Sequence, residues 1–93
     1  MDNAEKKELM SVIDSGWYTE SSKTKEFERM FASFVGAKYA CAVTSGTAAL
    51  YVGLKALNIG MGDEVIVPAQ THTATAHAAE LTGATVKFAD VDP

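Results

Sequence analysis

The chain has 93 residues, is 47% hydrophobic and 22% charged, and carries a formal net charge of −4. That length holds one small domain and not two, and the composition is that of a globular chain. The acidic balance argues against nucleic acid or an anionic membrane surface as a partner.

The opening "MDNAEKKELM" is charged and lacks the apolar core of a signal peptide, and no run reaches the roughly 18 apolar residues of a membrane span. A cytoplasmic protein is the expectation. Residues 3–14 read as a first helix, with Leu9, Met10, Val12 and Ile13 as its apolar face. "SGWYTESS" ends it, and Trp17 and Tyr18 are large side chains for a loop. Residues 23–35 carry the clearest helical signal: Phe27, Met30, Phe31, Phe34 and Val35 fall on one stripe of a 3.6-residue period. Ser22 or Thr24 can cap its start, and Gly36 suits the left-handed position after its end. Glu28 and Arg29 read as solvated residues of that helix.

"KYACAV" (38–43) reads as a buried strand, and Cys41 within it as a small buried hydrophobe. As the only cysteine, Cys41 excludes an internal disulfide. Residues 47–57 are apolar nearly all round, which predicts a buried helix. "NIGMGD" is a turn, "EVIVP" (64–68) a strand closed by Pro68, 71–83 a helix stopped at Gly83, and 85–90 a last strand. The order from residue 37 onward is βαβαβ behind a helical region over 1–36, an α/β class with a partial parallel sheet. A parallel sheet needs both faces covered. No closing helix follows the last strand, so the expectation is a chain that forms part of a larger one.

Parallel sheets bind ligands beyond the carboxyl ends of their strands. Two such ends occur here: Val43, followed by "TSGT" (44–47), and Pro68, followed by "AQTH" (69–72). Each leads into a helix N-terminus, where free N–H groups and the helix dipole favour an anion. Gly46 would let a ligand approach the backbone, and Ser45 and Thr47 would add hydroxyls. The stretch reads equally as a phosphate cradle and as a capped helix start. It is not a Walker loop, since no Lys follows Gly46, and Gly60-x-Gly62 precedes a strand and lacks a third glycine. His72 starts the later helix, where the dipole favours a neutral ring; such a ring can stack on an aromatic ligand or cap the helix. His77 stands five residues on, a poor spacing for two ligands on one helical face, so a metal site is not expected.

From Gly16 to Pro93 the chain resembles the N-terminal part of the DegT/DnrJ/EryC1/StrS aminotransferases. "EFERMFASFVGAKYA", "TSGTAAL", "GDEVIVPAQT" and "TGATVKFADVD" carry the likeness by their order and spacing. The resemblance implies the large domain of a fold-type I, pyridoxal 5′-phosphate-dependent transferase. It implies transfer of an amino group, with glutamate as the usual donor, to a nucleotide-linked keto-sugar, in polysaccharide or deoxyamino-sugar biosynthesis, by a homodimer. It places Ser45, Gly46, Thr47 and Ala48 at the cofactor phosphate, with the Thr47 hydroxyl foremost. It places His72 against the pyridine ring, where the family usually has a larger aromatic. It places Trp17, Tyr18 and Thr19 near the substrate. The family's Schiff-base lysine and pyridine-pairing aspartate lie beyond Pro93, so no catalytic residue is expected in this chain and it would not transaminate alone. Relatives that act as sugar dehydratases, with histidine in place of that lysine, share the same N-terminal pattern. A non-catalytic module for a phosphorylated ligand, or a scaffold domain that keeps the fold without the site, are further readings.

Overall fold

The computed structural model describes residues 2–19 and 21–92. Glu20 and Pro93, which the family resemblance includes, lie outside the described residues. The described residues form six elements: α1 (Asn3–Ser15), α2 (Ser22–Val35), α3 (Gly46–Ala56), β1 (Glu64–Pro68), α4 (Ala74–Leu81) and β2 (Thr85–Ala89). They group into two compact units, Met1–Ala42 and Val43–Pro93.

In the first unit, α1 starts at a reciprocal cap. The Asp2 carboxylate accepts the Ala4 N–H at 2.8 Å, and the Asp2 N–H donates to Glu5 Oε2 at 2.7 Å. Gly16 ends the helix at φ 69°. α2 starts one residue before its expected first residue, and its cap is Ser21, not Ser22 or Thr24. No side chain caps it; the Ser21 carbonyl accepts from the Thr24 and Lys25 N–H groups instead. Gly36 takes the left-handed position at φ 72°, as its place after the apolar stripe predicts. The stripe is present but open: Phe27 and Phe31 stack with centroids 5.8 Å apart, while Phe34 is 89% exposed. An ion pair between Lys23 and Glu8 links α2 to α1.

That pair sets an acid limit. The Lys23 ammonium hydrogen-bonds Glu8 and holds its carboxyl below the usual carboxylate range. A lowered carboxyl pKa contributes stability that is present above the ordinary carboxylate range and lost as pH falls through the folded value. Lys23, raised by Glu8, keeps its contribution until pH climbs past its own raised value. Circular dichroism from pH 7 to pH 3 should therefore show helicity falling in the parent chain and falling less in Glu8→Gln. Equal acid profiles would contradict the role given to the pair.

The second unit is a parallel strand pair crossed by a helix. β1 and β2 run in register from Glu64↔Thr85 to Pro68↔Ala89. The ladder extends past both ends, with the Thr85 N–H donating to the Asp63 carbonyl at 2.9 Å and Ala69 N–H to the Ala89 carbonyl at 2.8 Å. α4 packs on both strands and on α3. Its Ala78 and Ala79 are wholly buried, against Val67 at 3% exposure. The small alanine side chains let the helix lie close to the sheet. Thr82 seals the end of α4 by donating to the Ala79 carbonyl at 2.6 Å and accepting the Ala84 N–H at 3.3 Å. Gly83 then turns the chain at φ 90°, with the Met61 backbone 3.5 Å from where a Cβ would stand. Any side chain there would be strained by φ, while its Cβ would meet that backbone only at ordinary contact distance.

Three expectations change. Residues 38–43 form no strand: no partner strand lies beside them among the described residues, and an extended run becomes a strand only by pairing. Cys41 is accordingly exposed, not buried. α3 holds no buried residue although its sequence is apolar nearly all round, with Leu50 at 45% and Val52 at 51% exposure. α4 begins at Ala74 and not at residue 71, because residues 71–73 form the turn that caps it. The α/β class with a parallel sheet stands as read, with the described sheet limited to two strands.

Candidate functional site

The segment before α3 is extended at Ser45, with φ −163° and ψ 164°, so the chain enters the helix abruptly. Ser45 is the N-cap. Its Oγ accepts the Ala48 N–H at 3.1 Å, and its carbonyl accepts the Ala49 N–H at 3.0 Å. Capping thus takes up Ala48, one of the four donors expected for an anion. The N–H groups of Gly46 and Thr47 have no acceptor among the described residues. They are the two donors left at the positive end of the α3 dipole. The cap and the cradle are therefore compatible, and the Ser45 hydroxyl proton remains available to an anion.

Gly46 bears on the fit of a phosphate. A Cβ built there meets no protein atom within 4 Å, so the fold itself does not demand glycine at this position. The space that a Cβ at Gly46 would fill is open. The residues present suit a compact, acceptor-rich group such as a phosphate monoester.

Thr47 is half-buried and makes no side-chain hydrogen bond among the described residues. It lines an open hollow of about 370 Å³ with His77, Glu80 and Leu81 of α4. His72 is not part of that hollow. The structure thus brings Thr47 beside the histidine that spacing alone sets aside. No sequence signal links two residues so far apart in the chain; α3 packing on α4 does it.

His72 lies outside helix α4, after β1, with its ring exposed. The formal N-cap, Thr73, caps with no side-chain bond. His72 Nδ1 fills that role by accepting the Ala74 N–H at 3.2 Å. Nδ1 is thus the acceptor that serves as the cap. Thr71 and Thr75 hydroxyls, 3.2 Å apart, brace the same turn.

Trp17, Tyr18 and Thr19 belong to the first unit. Trp17 is 64% and Tyr18 70% exposed, and Thr19 is exposed too. They do not pack into the unit's own core. The Trp17 N–H donates to Ser15 Oγ at 3.2 Å, which fixes the loop and leaves the indole outside.

Two structural roles were hidden from sequence reasoning. Glu28, read as solvated, is half-buried and accepts the Ala42 N–H at 2.8 Å. Asp63 closes the turn before β1 by accepting the Gly60 N–H at 2.9 Å. An acid on an amphipathic helix gives no sign of a partner fourteen residues away. Among the described residues, no group of three His, Cys, Asp or Glu side chains could hold a metal ion. No helix there is long and apolar enough to cross a membrane.

Residues 1–93 match the DegT/DnrJ/EryC1/StrS aminotransferase family. The spore coat polysaccharide biosynthesis protein SpsC of Bacillus subtilis (strain 168) is 51% identical over 85 residues, covering 91% of this chain and 22% of SpsC. The putative sugar aminotransferase Spr1654 from Streptococcus pneumoniae, in its PMP-form, superposes with a TM-score of 0.89 at 39% identity, over 99% of this chain and 23% of its own. A GDP-4-keto-6-deoxymannose-3-dehydratase gives 0.88 at 37% identity, over 99% and 25%. The chain therefore spans about a quarter of the length of these relatives or less. With the match running over all 93 residues, the chain belongs to the DegT/DnrJ/EryC1/StrS aminotransferase family.

Proposed function

We propose that this chain is the cofactor-phosphate-holding segment of a pyridoxal 5′-phosphate-dependent sugar aminotransferase. The observation that carries the reading is the start of α3: at the positive end of the helix the N–H groups of Gly46 and Thr47 have no acceptor among the described residues, and a Cβ at Gly46 would meet nothing within 4 Å. The Thr47 hydroxyl and the Ser45 hydroxyl proton complete the donor set. When bound, the cofactor supplies the electron sink for amino transfer. This chain's own residues hold its phosphate, leave room at Gly46, and offer the His72 ring as a wall for the pyridine. Trp17, Tyr18 and Thr19, exposed and tethered to the end of α1, are offered to the substrate.

The substrate class in this proposal is a nucleotide-linked keto-sugar, with glutamate as amino donor. The enzyme would act as a cytoplasmic homodimer in polysaccharide or deoxyamino-sugar biosynthesis. The relationship to SpsC and to Spr1654 supports the sugar aminotransferase reading. A second reading, a sugar dehydratase, is supported by the dehydratase relative, which superposes almost as well. The two differ in the reaction run at the cofactor, and holding the phosphate is common to both. The chain supplies an anchor and one wall of the pocket, not the reacting groups.

The test is a calorimetric titration of the chain with pyridoxamine 5′-phosphate and with pyridoxamine. The phosphorylated form should bind at least tenfold more tightly, since the phosphate carries the proposed contacts. Equal affinities would remove the cradle.

A further inference from the structure

We infer that Glu28 is a positioning residue for the phosphate cradle: its carboxylate holds the backbone at Ala42, where the lead-in to Ser45, Gly46 and Thr47 begins. The inference rests on the cofactor-holding reading above.

Residues 37–45 form neither helix nor strand, so no ladder orders them. Backbone groups in such a segment must find other partners. Ala37 donates to the Ala32 carbonyl at 2.9 Å, which belongs to the end of α2. From residue 38 to residue 45, the Ala42 N–H is the one backbone donor with an acceptor among the described residues, and that acceptor is Glu28 Oε1 at 2.8 Å. Its fourteen-residue span also sets this bond apart, because the other hydrogen bonds between a side chain and the backbone among the described residues reach five residues at most.

The place of Glu28 on α2 suits the task. It is half-buried, and it stands between two hollows on the same helix. On one side are the cationic side chains of Lys25, Arg29 and Lys38; on the other are Phe27, Phe31 and Cys41. The apolar side limits water that could compete for the Ala42 N–H. An ionised acceptor makes the stronger class of hydrogen bond. Ala42 stands three residues before Ser45, so fixing it removes freedom from the short tether that delivers the capping serine and the two free donors. A cradle whose entry is ordered beforehand loses less entropy when it closes on an anion.

The experiment uses the chain with Glu28→Ala and Glu28→Gln, each titrated with pyridoxamine 5′-phosphate and with pyridoxamine. Exchange of the Ala42 amide is followed alongside by mass spectrometry or NMR. Glu28→Gln keeps an acceptor oxygen and should stay within about twofold of the parent. Glu28→Ala should weaken the phosphorylated ligand about fivefold, leave pyridoxamine unchanged, and speed exchange at Ala42 while α1 and α2 stay protected. Unchanged affinity in Glu28→Ala overturns the inference, as does a Gln variant as weak as the Ala variant. Loss of protection throughout α1 and α2 also overturns it, since Glu28 would then hold up the fold and not the cradle. Failure of the underlying reading looks different: the parent itself would bind both ligands equally.

Discussion

Thr47→Val is expected to weaken pyridoxamine 5′-phosphate binding by about 10- to 100-fold and to leave α3 intact. A hydrogen bond to a charged partner contributes about 1.5–3 kcal/mol, which spans that range of affinity. Valine keeps the shape and β-branching of threonine and deletes only the hydroxyl. Helix stability should change little, because the cap is Ser45 and not Thr47: Ser45 Oγ holds the Ala48 N–H. The change is read by calorimetry, with circular dichroism as the control on helicity. Unaltered affinity would mean that the backbone N–H groups of Gly46 and Thr47 carry the phosphate alone. A loss of helicity would mean that Thr47 matters as part of the helix start, its hollow with His77 and Leu81 being a packing contact.

The second large effect concerns the 93-residue chain by itself. It should bind a hydrophobic dye strongly, associate at micromolar concentration, and unfold over a broad range of urea with a slope below about 1 kcal/mol per M, the lower end for small proteins. The cause is the make-up of its interior. The buried apolar residues are Ala32, Ala78, Ala79, Ala84 and Val67. The large side chains are outside: Phe34 at 89%, Met61 at 93%, Ile66 at 74% and Phe88 at 67% exposure. Alanines contribute little burial, while contiguous exposed apolar surface drives association. Saturating pyridoxamine 5′-phosphate should raise the unfolding midpoint by mass action. A monomeric chain with a sharp transition and no dye binding would contradict this picture.

How far the sequence could be read depended on where each element's partners lie. α2 and β1 were legible almost to the residue because their signals are local: an apolar stripe ended by Gly36, and a β-branched run ended by Pro68. A capped start of α3 within residues 44–47 was one of two readings open in the sequence, because a cap acts within one turn; the structure assigns the cap to Ser45 and starts the helix at Gly46, one residue early. Residues 38–43 were misread because strand propensity says nothing of whether a partner strand is present. α3 was misread as buried because apolar composition shows what a face prefers, not what covers it. The bond from Glu28 to Ala42 and the meeting of Thr47 with His77 depend on packing between separate elements. Neither leaves a trace in spacing. For His72 the sequence left capping and ligand stacking both open, and the structure shows its capping bond to Ala74.

The parallel pairing of β1 with β2 also governs how the second unit forms. A hairpin can zip from its turn, gaining a bond for each residue fixed. Here every rung, from Glu64↔Thr85 to Pro68↔Ala89, encloses the whole of α4. The first rung therefore costs the full loop-closure entropy before any sheet bond repays it. Only a preformed α4, shortening that loop and presenting Ala78 and Ala79 to the strands, lowers the barrier. Assembly of this unit should then be slow, with α4 as its nucleus. While it waits, Val65, Val67 and Phe88 are unprotected, and that interval is when the nascent chain is most open to capture by another copy of itself.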